Sequence, residues 1–169
     1  MRGSNDVQDE RLSLIARRIG LAIWHCQELE GVAAQYLVLM TQAKKGMGSE
    51  AGIALLEPVQ SLPFGVMLKK IRKAGLLEAD LETRFNNILS ERNWLVHRSR
   101  GTNRDALFSD SGLNKVVSRV DAMAEEALSL LQVLGAKIEG YVMDQGVSAE
   151  DIDKRASALL EQWHASGEI

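Results

Sequence analysis

This sequence predicts an all-α fold, an up-and-down bundle of about four long helices with short ones between them. Three observations carry that expectation. Apolar residues recur at three- and four-residue steps over stretches much longer than a strand. Only two of the 169 residues are proline, and Leu, Ala and Glu are abundant while aromatics are few. The share of apolar residues, 46%, against 25% charged, is that of an ordinary globular protein with enough chain for one real core.

The first long helix is expected over residues 8–45. Leu12, Ile15, Ile19, Ala22, Ile23, Cys26, Leu29, Val32, Ala33, Tyr36, Leu37 and Met40 form its apolar stripe. Gly20 and Gly31 read as points of close helix packing, and Lys44-Lys45-Gly46 as a stop with cations in the last turn. Between Gly46 and Pro63 order is weakest, with a short helix over Ala51–Leu56 ending before Pro58 and an extended step at Pro63. Residues 64–75 then form a compact basic helix, with Phe64, Met67, Leu68 and Ile71 inward and Lys69, Lys70 and Lys73 outward. A helix from about Asp80 to Arg100 buries Leu81, Phe85, Ile88, Leu89, Leu95 and Val96. Gly101–Gly112 reads as a loop, and a second long helix follows over 113–144. Ser148 is a good N-cap, with Asp151 at the third helical position and Val147 and Ile152 placed as a hydrophobic staple. The last helix spans 149–165 and stops at Gly167. One domain over residues 1–169 is expected.

Several function classes fall away at once. No apolar run approaches the roughly 18 residues of a membrane span. Met1-Arg2-Gly3-Ser4 lacks the apolar run of a signal peptide, so the expected address is cytoplasmic. Cys26 is the one cysteine, and three scattered histidines make no metal site. No cofactor or metal is expected. Gly46-Met47-Gly48 lacks the strand context of a nucleotide-binding loop. Net charge is −3, which is not that of a wholesale nucleic-acid binder. Its distribution says more: residues 66–104 hold nine Lys/Arg against four acids, and residues 121–169 ten acids against three bases. A local polyanion site on an otherwise repelling protein is one reading, and two solvated helix faces the plainer one.

The stretch Ser90-Glu91-Arg92-Asn93-Trp94-Leu95-Val96-His97-Arg98 concentrates chemistry. A guanidinium is permanently cationic and forks onto phosphate oxygens. An imidazole, with an ordinary pKa of about 6.5, gives or takes a proton near neutrality. Together they are a minimal kit for phosphodiester chemistry. On an ideal helix Asn93 and His97 share a face, whereas Arg92 and His97 diverge by about 140° at roughly 100° per residue. One helix does not easily aim both at one small substrate, but a twofold axis does, which argues for a homodimer with the site at its interface.

These residues resemble the arginine–polar–x–x–x–histidine signature of HEPN domains, small helical bundles of prokaryotic toxin and defence systems. The preceding Leu62-Pro63-Phe64-Gly65-Val66-Met67-Leu68-Lys69-Lys70-Ile71 is similar to the lead-in of one HEPN-like group, with Pro63 where threonine is usual. The first helix with Trp24, Glu28 and Glu30 fits the same layout, and the likeness covers about residues 10–143, strongest at 84–98. Two departures stand out. Arg98-Ser99-Arg100 follows the histidine where that group has aromatics, and no tyrosine lies two residues after His97 to accept a silencing modification.

The resemblance implies a metal-independent endoribonuclease acting as a dimer on single-stranded RNA. Catalytic roles fall to Arg92 on the scissile phosphate, His97 as general acid or base, and Asn93 as an orienting residue. The products are a 2′,3′-cyclic phosphate and a 5′-hydroxyl. Arg98, Arg100 and Arg104 are placed to contact RNA, and an antitoxin or other protein partner goes with such systems. Against this stand two rivals, a non-catalytic helical interaction module with the same fold and a helical DNA-binding regulator. His25 and His164 read as packed or surface residues, Cys26 as a small core residue, and Trp24 and Trp163 as core or interface anchors.

Overall fold

A computed structural model describes residues 2–166, with side chains from Asn5 onward. The described chain is all-helical: α1 (Arg2–Thr41), α2 (Ser49–Gln60), α3 (Phe64–Lys73), α4 (Ala79–His97), α5 (Ser99–Thr102), a 3-10 turn (Arg104–Leu107), α6 (Asp110–Asp144) and α7 (Ala149–Ser166). No strand occurs among the described residues. Four helices have eighteen residues or more, as expected of a bundle with long and short members. The chain divides into two compact units with the boundary inside α6, one through Leu134 and one from Gly135 onward.

In the first unit the cross-helix pairs fix the directions of the helices. Arg11 pairs with Asp110 and Arg18 with Asp121, so α1 and α6 run the same way. Arg84 pairs with Glu126 and Glu91 with Arg119, so α4 runs against α6. Arg72 pairs with Glu82, and Phe64 meets Phe85 edge-on with centroids 6.4 Å apart, so α3 runs against α4. The result is an up-down-up arrangement of α1, α4 and α6 with α3 packed beside α4. The largest fully buried side chains are Leu29 of α1, Met67 and Ile71 of α3, Phe85 and Ile88 of α4, and Val120, Leu130 and Leu134 of α6. Burying each stabilises the fold by roughly 1.5–3 kcal/mol.

The boundaries depart from expectation in instructive places. α1 ends at Thr41, short of Lys44-Lys45, and Gly46 takes φ +81° in the turn beyond, a conformation that favours glycine. α2 does not stop before Pro58 but runs through it to Gln60. The ring removes only one donor in the last turn, while the buried Val59 and the Ser61 N–H on the Glu57 carbonyl hold that turn closed. Residues 101–112 are not an open loop, because α5, the 3-10 turn and the start of α6 occupy most of them. Gly20 and Gly31 do not mark close packing: open space faces both. The close approach is at Gly112 instead, where a Cβ would lie 2.9 Å from the Ala106 backbone nitrogen.

The second unit holds the end of α6 and α7. α7 begins as expected, with the Asp151 N–H donating to Ser148 Oγ at 3.1 Å. It has no buried residue, and Trp163 is 61% exposed rather than a core anchor. Gly167, the expected stop, lies outside the described residues, as do the side chains of Met1–Ser4. No helix among those described is by itself long and apolar enough to cross a membrane.

Candidate functional site

α4 carries the candidate residues, and its two sides explain how they are displayed. Leu81, Phe85, Ile88 and Leu95 are buried, and Arg92 lies on the same flank, only half-buried. Asn93, Val96 and His97 are exposed. Val96, expected inside, is half exposed because its direction follows Leu89 and Asn93 and not Leu95. Beside Leu95, the buried residue of this stretch is Trp94, 9% exposed.

Trp94 is held from two sides. The Arg119 guanidinium lies 3.5 Å over its ring, and the indole N–H donates to Thr102 Oγ1 at 3.2 Å. Arg119 is fixed in turn by a forked pair of hydrogen bonds to Glu91, of 2.7 and 2.9 Å. α4, α5 and α6 are therefore pinned together at the motif. At Arg98 the backbone leaves helical geometry (φ −130°, ψ −16°), which makes His97 the last residue of α4. Ser99 Oγ donates to the Leu95 carbonyl at 2.6 Å and starts α5 in the next turn.

Arg92 does not meet His97 within one chain. Its Nε stands 3.3 Å from Glu30 Oε1 of α1. That carboxylate oxygen is buried and makes no hydrogen bond, so the pair is an ion pair in poor hydrogen-bond geometry. Burial pushes the Glu30 carboxyl above the ordinary glutamate range, and the charge of Arg92 opposes this without cancelling it. One turn before Glu30 on α1, Cys26 is also buried. Desolvation, reinforced by Glu30, pushes its thiol up to about 11, so it is a packing residue and not a nucleophile.

Asn93 and His97 are one helical turn apart on the solvent side, and neither side chain has a hydrogen-bond partner among the described residues. Arg98, Arg100 and Arg104 follow them in the chain, all exposed, and none forms an ion pair among the described residues. By contrast Arg11, Arg18, Arg72, Arg84, Arg92 and Arg119 all face carboxylates. Arg17 of α1 and Arg155 of α7 are likewise exposed without an ion pair among the described residues, so what sets the run after α4 apart is three such arginines within seven residues. His25 is a packed residue whose Nδ1 lies 3.1 Å from the Ala124 carbonyl, and His164 is exposed. Trp24, expected as an anchor, is 63% exposed on the side of α1 opposite the core.

Sequence reasoning missed three participants. Glu30 was visible as part of a layout but not as the partner of Arg92, which only tertiary packing defines. Trp94 fell outside the stripe drawn for α4, because its burial comes from α5 and Arg119 and not from the helix's own apolar face. Phe108, 69% exposed, sat inside a presumed loop. In comparisons with protein-family models, curated proteins and solved structures, nothing matches this chain.

Proposed function

We propose that the protein is a metal-independent endoribonuclease of the HEPN type, cutting single-stranded RNA at a site completed by two copies of the chain. One observation carries this reading: Asn93 and His97 project to solvent from one face of α4, and three exposed arginines without carboxylate partners among the described residues follow within the next seven positions of the chain. Exposed imidazole and uncompensated guanidinium are what phosphodiester transesterification needs. His97 takes the proton of a ribose 2′-hydroxyl or delivers one to the leaving 5′-oxygen. The 2′-oxygen attacks phosphorus, the bond to the 5′-oxygen breaks, and a 2′,3′-cyclic phosphate and a 5′-hydroxyl result. Arg92 binds the phosphate and offsets its developing charge. Asn93 orients the imidazole or the phosphate.

A second copy removes the geometric obstacle. An antiparallel twofold midway between Arg92 and His97 brings the Arg92 of one chain level with the His97 of the other. The exposed Val96 and the half-buried Leu89, on the Asn93 side of α4, supply apolar surface for such a contact. A toxin or defence role, with an antitoxin or other protein partner, belongs to the same reading. The protein then works in the cytoplasm.

The competing reading is a non-catalytic helical dimer that serves as an interaction module. The Glu30–Arg92 pair favours it, because a guanidinium committed to a carboxylate is less available to phosphate. Cleavage of single-stranded RNA in EDTA decides between them. In the ribonuclease reading His97→Ala and Arg92→Ala each lower the rate at least about a hundredfold, and the wild type leaves cyclic-phosphate ends. A folded, dimeric wild type that cuts nothing moves the protein to the interaction module. Equal cleavage by all three proteins assigns the activity to a contaminant.

A further inference from the structure

A second feature lies beside the motif and is not used by the cleavage chemistry. α1, α5, the 3-10 turn and the start of α6 enclose a cavity of about 370 Å³. Its walls are Leu12, Ile15, Ile19, Leu107 and Val116, with Phe108 at the mouth. Arg100 and Arg104 line the same cavity, both exposed and without carboxylate partners among the described residues. Asn103 lines it too. Its amide N–H groups donate to the Ser99 carbonyl at 2.8 Å and to Thr102 Oγ1 at 3.0 Å, which leaves its oxygen as an acceptor. Gly112 allows the 3-10 turn to lie against α6, and that contact sets where Arg104 and Phe108 stand.

An apolar cavity of this size with a few convergent polar groups has the form of a ligand site. Its charge selects the ligand: two guanidiniums call for an anion, and an exposed phenyl ring at an apolar mouth calls for a flat ring to stack on it. We propose that this cavity takes an unpaired nucleobase of the RNA substrate, stacked on Phe108, with the adjoining phosphates on Arg100 and Arg104. Asn103 Oδ1 accepts from an exocyclic amino group on the base. The proposal rests on the RNA-directed reading above and extends it, by giving the enzyme a grip on a nucleotide that flanks the cut. It also gives an outside partner to Arg100 and Arg104, which have no ion pair among the described residues.

The test uses the full chain carrying His97→Ala, which binds without cutting, and a fluorescein-labelled oligocytidylate or oligoadenylate of about ten nucleotides, both of whose bases carry an exocyclic amino group. Adding Phe108→Ala weakens binding by about tenfold, and Phe108→Trp restores it. With an oligonucleotide made abasic along its length, Phe108→Ala and its parent bind alike. Arg104→Gln weakens binding to every sequence and reduces the salt slope by about one. Phe108 is mostly exposed, so its variants fold. Binding indifferent to Phe108, with RNA still cut by the wild type, overturns the base pocket and leaves the ribonuclease standing. Phe108-dependent binding with no cleavage by the wild type overturns the enzyme and leaves the pocket. No binding by any variant overturns both. If dodecanoate raises the melting temperature and the oligonucleotide does not, the cavity belongs to an apolar carboxylate and the proposal is wrong.

Discussion

Two sets of arginines in one unit behave in opposite ways. Those on the helix seams are braced by carboxylates: Arg84 forks onto Glu126 at 2.7 and 3.0 Å and reaches Ser129 as well, and Arg119 forks onto Glu91 while covering Trp94. Those after α4, at positions 98, 100 and 104, are exposed and form no ion pair among the described residues. Residue type is the same, so the difference lies in what each was placed to meet. A seam arginine has its fork filled by the fold. A partnerless arginine leaves its fork open to solvent, and three of them within seven residues concentrate positive charge of the kind that attracts a polyanion.

Removing Trp94 is the strongest way to break the braced half. Trp94→Ala deletes a buried ring, the cation–π contact of Arg119 and the indole donor to Thr102. A loss of about 3 kcal/mol is expected by chemical denaturation, with release of the last turn of α4 that displays His97. An unchanged denaturation midpoint would mean that α5 and Arg119 do not hold the motif helix.

The next comparison is direct. Arg84→Ala costs about 1 kcal/mol of stability, because it breaks a half-exposed forked pair. That corresponds to a fall of roughly 2–4 °C in melting temperature for a chain of this size. RNA binding should not move. Arg104→Ala is the mirror image, with stability unchanged within about 0.5 kcal/mol and RNA affinity reduced most at low salt. Should Arg104→Ala lower the melting temperature as much as Arg84→Ala, the division between braced and outward-facing arginines fails.

How much of this was legible in the sequence follows the same division. Periodicity identified the buried side of α3 because its core is made by its own apolar stripe: Phe64, Met67, Leu68 and Ile71 are all buried as spaced. The Ser148 cap was readable because capping is local. The candidate residues Arg92, Asn93 and His97 were readable as chemistry, and their divergence around the helix was readable as geometry. What was not legible came from contacts between distant segments. Val96 and Trp94 exchanged places because α5 folds back on Trp94. The run 101–112 looked like loop because its Ser, Asn, Asp and Gly residues satisfy short helical turns as well as open ones. Glu30 and Arg92 are 62 positions apart, and no local pattern announces their pairing.

Arg92 stands between the two sets, since it has a carboxylate but not a good hydrogen bond to it. The raised carboxyl of Glu30 supplies the smallest and most discriminating prediction. A carboxyl whose folded-state pKa lies above its unfolded value contributes stability at low pH, and that contribution is lost as pH rises through the folded value. Glu30→Gln removes the ionisation, so its stability relative to wild type should grow between pH 4 and pH 7, by less than about 1 kcal/mol because the site is half solvated. Melting curves of the two proteins across that range test it. A variant that loses ground as pH rises would show the ion pair to be a net brace, placing Arg92 with the seam arginines and weakening its claim on phosphate. A variant that gains, and also cuts RNA faster, would mark Glu30 as a restraint that the substrate phosphate displaces from Arg92.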